Sequence, residues 1–106
     1  MINIEFKPKT WELTIEGHSE HGEKGKDIVC AAVSALFYTL GESLYHSLDI
    51  QAEPPVFKED DGRGYLKCIP EPEYELNVTY IYATVMTGLQ MVANQHPEHV
   101  KLSIIE

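Results

Sequence analysis

The sequence predicts an α+β domain, two helices packed on a mostly antiparallel sheet in the order ββ-α-ββ-α-β. Three observations carry that prediction. Two long stretches place an apolar residue every three or four positions, the period of a helix with one buried face. Short runs elsewhere alternate apolar and polar residues, the period of a strand with one buried face. Four of these strands come as neighbours joined by short turns, which makes hairpins and segregates the helices from them.

The elements follow in order. Ile2, Ile4 and Phe6 alternate on one face, Pro8 and Lys9 form a turn, and Trp11, Leu13 and Ile15 alternate on the return strand. Trp11 is expected to be a core or rim aromatic. The stretch Gly17 to Lys26 is rich in glycine and charge, has no periodicity and reads as a loop. Asp27 can cap the first helix by accepting from backbone N–H groups two and three residues on. Val29, Val33, Leu36, Leu40 and Leu44 form its apolar stripe, which runs to about Leu48. Gly41 inside that helix costs about 1 kcal/mol relative to alanine, so a close contact with another element is expected there. Pro54 and Pro55 exclude helix. Val56 and Phe57, the turn at Asp60 to Gly64, and Tyr65 to Ile69 make a second hairpin. Glu71, Glu73 and Glu75 place negative charge where a helix dipole favours it. Val78, Ile81, Val85, Leu89 and Val92 form the second helical stripe, ending near Asn94, and Val100, Leu102 and Ile104 alternate as a last strand.

At 106 residues the chain suits one domain, residues 1–106, with a modest core that dimerisation would enlarge. No apolar run is read as reaching a membrane span, and the N-terminus lacks the apolar segment of a signal peptide, so the expected location is cytoplasmic. A net charge of −9 repels phosphates, which argues against direct nucleic-acid binding and favours basic partners. In a cytoplasmic setting Cys30 and Cys68 are expected to be thiols.

The chemistry concentrates where the second strand, the loop and the first helix meet. With Asp27 as N-cap, Cys30 is the third helical residue, where orphan N–H groups and the helix dipole favour a thiolate. His18, leaving the strand, can supply an imidazole, and the N–H groups of the helix start could stabilise an oxyanion. Simple burial of Cys30 explains the residue as well as catalysis does at this point. A third reading is metal binding through His18, His21 and Cys30 with Glu23, although this falls short of the usual zinc ligand set without a further carboxylate. Cys68, in a strand, reads as a buried thiol. His46, His96 and His99 have no evident partners.

The segment G-H-x-x-x-G at Gly17, His18 and Gly22, followed by G-x-D-I-V-C-A-A-V-S-A-L from Gly25 to Leu36, strongly resembles the bacterial ribosomal-processing cysteine protease family, Prp. The resemblance implies a cysteine–histidine dyad with Cys30 as nucleophile and His18 as general base. It implies supporting roles for Asp27 and Ser34, and a lid containing Gly22 and Gly25. Ser19 stands where the motif has alanine. The implied activity is an endopeptidase, without cofactor or metal, that removes an N-terminal extension from a large-subunit ribosomal protein by cutting after an aromatic residue. Members are homodimers, and phage capsid or scaffold proteins are alternative substrates. A non-catalytic module that binds a peptide or a metal is the reading from another class.

Overall fold

The computed structural model describes residues 1–17 and 27–106. Five strands and two helices follow the predicted order: β1 (Ile2–Lys7), β2 (Glu12–Gly17), α1 (Ile28–Tyr45), β3 (Val56–Asp60), β4 (Arg63–Lys67), α2 (Glu75–Gln95) and β5 (Val100–Ile104). The sheet order is β3-β4-β2-β1-β5. Three of its four pairings are antiparallel, and β1 with β5 is parallel.

Strand alternation sorts the two sheet faces. Ile2, Ile4, Phe6, Leu13 and Leu66 are buried beneath the helices, while Asn3, Glu5 and Lys7 face out. Both helices close the same core, α1 through Val29, Val33, Phe37, Leu40 and Leu44, and α2 through Val78, Tyr82, Val85, Leu89 and Ala93. The stripes are therefore rotated slightly from the sequence reading. Leu36, Ile81 and Val92 are only half-buried, and Phe37, Tyr82 and Ala93 take the central positions. Leu36 points instead at the other helix, where a side chain on Gly88 would collide with it.

Trp11 belongs to the β1–β2 turn rather than to the strand. Its φ of 59° is unfavourable for a bulky residue. Tyr82 holds it there, with the rings 5.2 Å apart and the tyrosine hydroxyl donating to the Trp11 carbonyl at 2.9 Å. Gly41 answers the expectation of a close contact: a Cβ there would run into the ring of Phe57 on β3.

Helix α1 stops at Tyr45, short of Leu48, and a 3₁₀ turn follows at Leu48–Ile50. The side chain of Gln51 satisfies the open helix end. Its amide donates to the Leu44 carbonyl at 2.7 Å and the Ser47 carbonyl at 2.8 Å, and its oxygen accepts from the Cys68 thiol at 3.4 Å. Cys68 is thus buried, as expected, and burial raises its pKa to about 11. Contrary to the sequence reading, α1 is long and apolar enough to cross a membrane, with Glu42 as its one charged residue. Here that composition serves packing, because the helix lies on the sheet along its buried stripe.

Candidate active site

Cys30 stands in the first turn of α1, and the cap that fixes this turn is the predicted one. Asp27 Oδ1 accepts from the N–H of Val29 at 3.0 Å and of Cys30 at 3.1 Å. The next N–H, of Ala31, donates to the Asp27 carbonyl at 3.1 Å. The Val29 and Cys30 N–H groups are committed to a carboxylate, so an oxyanion would have to compete with Asp27 for them.

Cys30 is half-buried and lines a pocket of about 130 Å³. Ser34 and Tyr38 line the same pocket, one and two turns further along α1. Ile2 and Ile15 supply apolar floor from β1 and β2. The rest of the floor is nearly bare of side chains, since Gly17, Gly62 and Gly64 all border the space. The sheet makes these glycines neighbours: the Gly17 N–H donates to the Gly62 carbonyl at 2.8 Å, and Gly64 pairs with Ile15. Each is constrained to be small. Gly17 has φ +104° and a Cβ there would strike the Met1 carbonyl oxygen, while a Cβ on Gly64 would approach the Phe37 ring to 2.7 Å. A peptide backbone could approach the thiol across such a floor where larger side chains would block it.

Phe37 and Tyr38 give the pocket an aromatic wall, and Phe57 packs behind it. Phe37 stacks on Phe57 with centroids 5.0 Å apart, and Tyr38 lies 5.6 Å from Phe57. Two charged residues of the β3–β4 hairpin, Glu59 and Arg63, stand at the rim. Arg63 pairs with Glu16 at 2.9 Å. The Tyr38 phenol is pushed above its ordinary range, first by burial and then by the negative charge of Glu59 beside it.

Of the residues singled out from the sequence, Cys30, Asp27 and Ser34 are together at this helix start. His18, His21, Glu23, Gly22, Gly25 and Ser19 lie outside the described residues, but Gly17, the residue before His18, lines the pocket. Among the described residues no cluster of His, Cys, Asp and Glu could hold a metal. Sequence reasoning missed Tyr38, Glu59, Gly62 and Gly64. Tyr38 had a signal, because positions 30, 34 and 38 share a helical face. The hairpin residues needed the strand register.

Comparison with known proteins places the chain in a family. A ribosomal processing cysteine protease Prp of Staphylococcus aureus (strain Mu50) is 26% identical over 102 residues, covering 96% of this chain and 93% of that protein. The protein of the same name from Mycoplasma genitalium is 29% identical over 96 residues, covering 86% and 85%. The fold matches that of the S. aureus protease Prp in complex with a covalently linked product peptide, with a TM-score of 0.81, 24% identity, and coverage of 99% of this chain and 100% of that one. SMU.848 from Streptococcus mutans matches with a TM-score of 0.69 and 25% identity, over 98% of this chain and 91% of that one. The family model described as cysteine protease Prp matches residues 1–101. A thiol on a capped helix start, over a glycine-lined pocket, in a chain matched almost from end to end, identifies a cysteine protease belonging to the Prp family.

Proposed function

We propose that this protease removes the N-terminal extension of a large-subunit ribosomal protein, cutting after an aromatic residue with Cys30 and His18 as its dyad. The observation that carries the reading is the pocket, which brings Cys30 on α1 and Gly17 at the end of β2, immediately before His18, to one space. The names of its relatives, ribosomal processing cysteine proteases, supply the substrate class. The glycine floor admits a backbone, and the Phe37 and Tyr38 rings that line the pocket, backed by Phe57, suit an aromatic side chain.

The reaction then runs in two halves. His18 takes the proton from Cys30, and the sulfur attacks the carbonyl carbon to form a tetrahedral intermediate. The C–N bond breaks as His18 returns that proton to the leaving amine, which leaves an acyl-enzyme. Water, deprotonated by His18, attacks the thioester, and the thiolate leaves with the proton restored. Each step needs only these groups and the substrate. The test is cleavage of a peptide spanning the extension, with products identified by mass. Cys30→Ala is expected to lose at least about a thousandfold in kcat/KM, since removing a nucleophile costs more than that in related acyl-transfer enzymes. Unchanged cleavage by Cys30→Ala would refute the assignment.

The same reading places the enzyme in the cytoplasm as a homodimer. The outer face of the helical layer supports the second part. Leu76, Tyr80 and Met91 of α2 are 63%, 65% and 56% exposed, and Ile28 of α1 is 66% exposed. From Leu76 to Gln95 the chain has no charged residue, although its net charge is −9. A net charge of −9 opposes the association of two copies, and an uncharged face opposes it least. Two adjacent helices offer about 30 Å by 20 Å, roughly 600 Å², or about three quarters of the roughly 800 Å² that each partner gives a stable interface.

A further inference from the structure

We propose that Glu59, set beside the Tyr38 phenol, is a specificity determinant that reads a cationic side chain three or four residues from the scissile bond. The inference rests on the endopeptidase reading and adds a recognised residue to it.

Cys30, Ser34 and Tyr38 lie along one face of α1 and border one pocket, so the open space runs parallel to the helix axis. Eight residues of helix advance about 12 Å. An extended peptide advances about 3.4 Å per residue, so Tyr38 stands between three and four residues from a carbonyl held at Cys30.

At that distance the structure places a carboxylate on an unexpected side of the sheet. In β3, Lys58 and Asp60 face away from the helices, while Phe57 and Glu59 face them. Phe57 packs behind the aromatic wall, and Glu59 reaches the pocket rim next to Tyr38. Arg63, which also borders the pocket, pairs with Glu16 at 2.9 Å, and no ion pair joins it to Glu59 among the described residues. A carboxylate beside an aromatic ring attracts an ammonium or guanidinium group through both the ion pair and the ring face. An inward-pointing charge on the edge strand of a sheet also discourages edge-to-edge aggregation. That role would not change peptide selectivity, so selectivity separates the two.

The experiment uses the full chain and peptides spanning the cleavage sequence. A single Lys or Gln is moved through four positions on each side of the scissile bond. Wild type is expected to prefer Lys about fivefold in kcat/KM at a position three or four residues from the cut, with the preference falling as salt is added. Glu59→Gln should bring the Lys/Gln ratio to about one and Glu59→Lys should invert it, because charge at this point sets the ratio. A ratio near one at every position in wild type, or the same ratio in Glu59→Gln, overturns the proposal. The dissociation constants of the same peptides for Cys30→Ala, with and without Glu59→Gln, keep the two readings apart. If nothing is cut but a Lys preference in binding disappears with Glu59→Gln, the cation site stands and the endopeptidase reading fails alone. If binding shows no such preference, the cation site fails.

Discussion

Asp27→Ala removes the cap that fixes the turn carrying Cys30, and its cost can be worked from the structure. One carboxylate oxygen accepts from two N–H groups, at 3.0 Å and 3.1 Å, so alanine leaves both without that partner at a half-exposed helix end where water can replace it. Losing such a cap costs about 1 kcal/mol, and up to about 2 when the site is well ordered. A domain near this size shifts its Tm by about 4–8 °C per kcal/mol, so thermal denaturation followed by circular dichroism should fall by about that amount. Asn is as good a cap as Asp, so Asp27→Asn should recover most of the loss apart from a few tenths of a kcal/mol of dipole interaction. A native domain has about 5–15 kcal/mol in hand, so Asp27→Ala stays folded at 25 °C. Any drop in its peptide cleavage at that temperature then reports a displaced Cys30 rather than unfolding. A Tm within a degree of wild type for Asp27→Ala, or an equal loss for Asp27→Asn, would refute the capping argument.

Three other outcomes follow from the packing. Gly41→Ala gains about 1 kcal/mol of helix propensity but forces a methyl into the Phe57 ring, so chemical denaturation should show net destabilisation of about 1–3 kcal/mol, partly recovered when Phe57 is replaced by leucine. Cys68 has its pKa raised by burial from 9.0 to about 11, so the fold holds its neutral form. Its stabilising effect is complete below pH 9 and fades between pH 9 and 11, by about 3 kcal/mol. Tyr82, Tyr65 and Tyr38, each raised first by burial, act in the same direction. Urea unfolding of wild type and Cys68→Ala at pH 8 and pH 10.5 should therefore show the gap between them narrowing at the higher pH. On the proposed homodimer, Tyr80→Glu, alone or with Met91→Glu, should shift sedimentation to the monomer, whereas Lys101→Glu on β5 should leave the assembly unchanged.

The elements were legible because period and caps are local properties. Asp27 is a cap within three residues of its partners, and strand alternation in Ile2–Phe6 needs no knowledge of what lies above it. The precise stripe was less legible, since Phe37 and Leu36 are both apolar and only the neighbouring helix decides which one turns inward. It does so through Gly88, whose missing side chain leaves the space that Leu36 occupies. Trp11 is the rim aromatic the sequence suggests, yet it lies outside the strand for a related reason. Its alternation with Leu13 suits a strand, but Tyr82, seventy-one positions away in the chain, holds it in the turn.

The candidate site divides along the same line. Cys30, Asp27 and Ser34 sit within two turns of one helix, so their grouping is written in the sequence. The pocket beside the thiol is not, because Gly17, Gly62 and Gly64 meet only through the β2–β4 register. A one-residue slip of that register would carry Gly64 to the opposite face and put a side chain under Cys30. The Arg63–Glu16 pair and the Tyr65 hydroxyl, which donates to Glu12 at 2.8 Å, both span these two strands and oppose such a slip. Polar contacts on the outer sheet face therefore help to set the floor of the site on the inner face. The acid side of this link has a definite sign. Thr10 first, and then Tyr65, hold the Glu12 carboxyl below its ordinary range, so its contribution is present above about pH 4.5 and is lost as pH falls through its folded value.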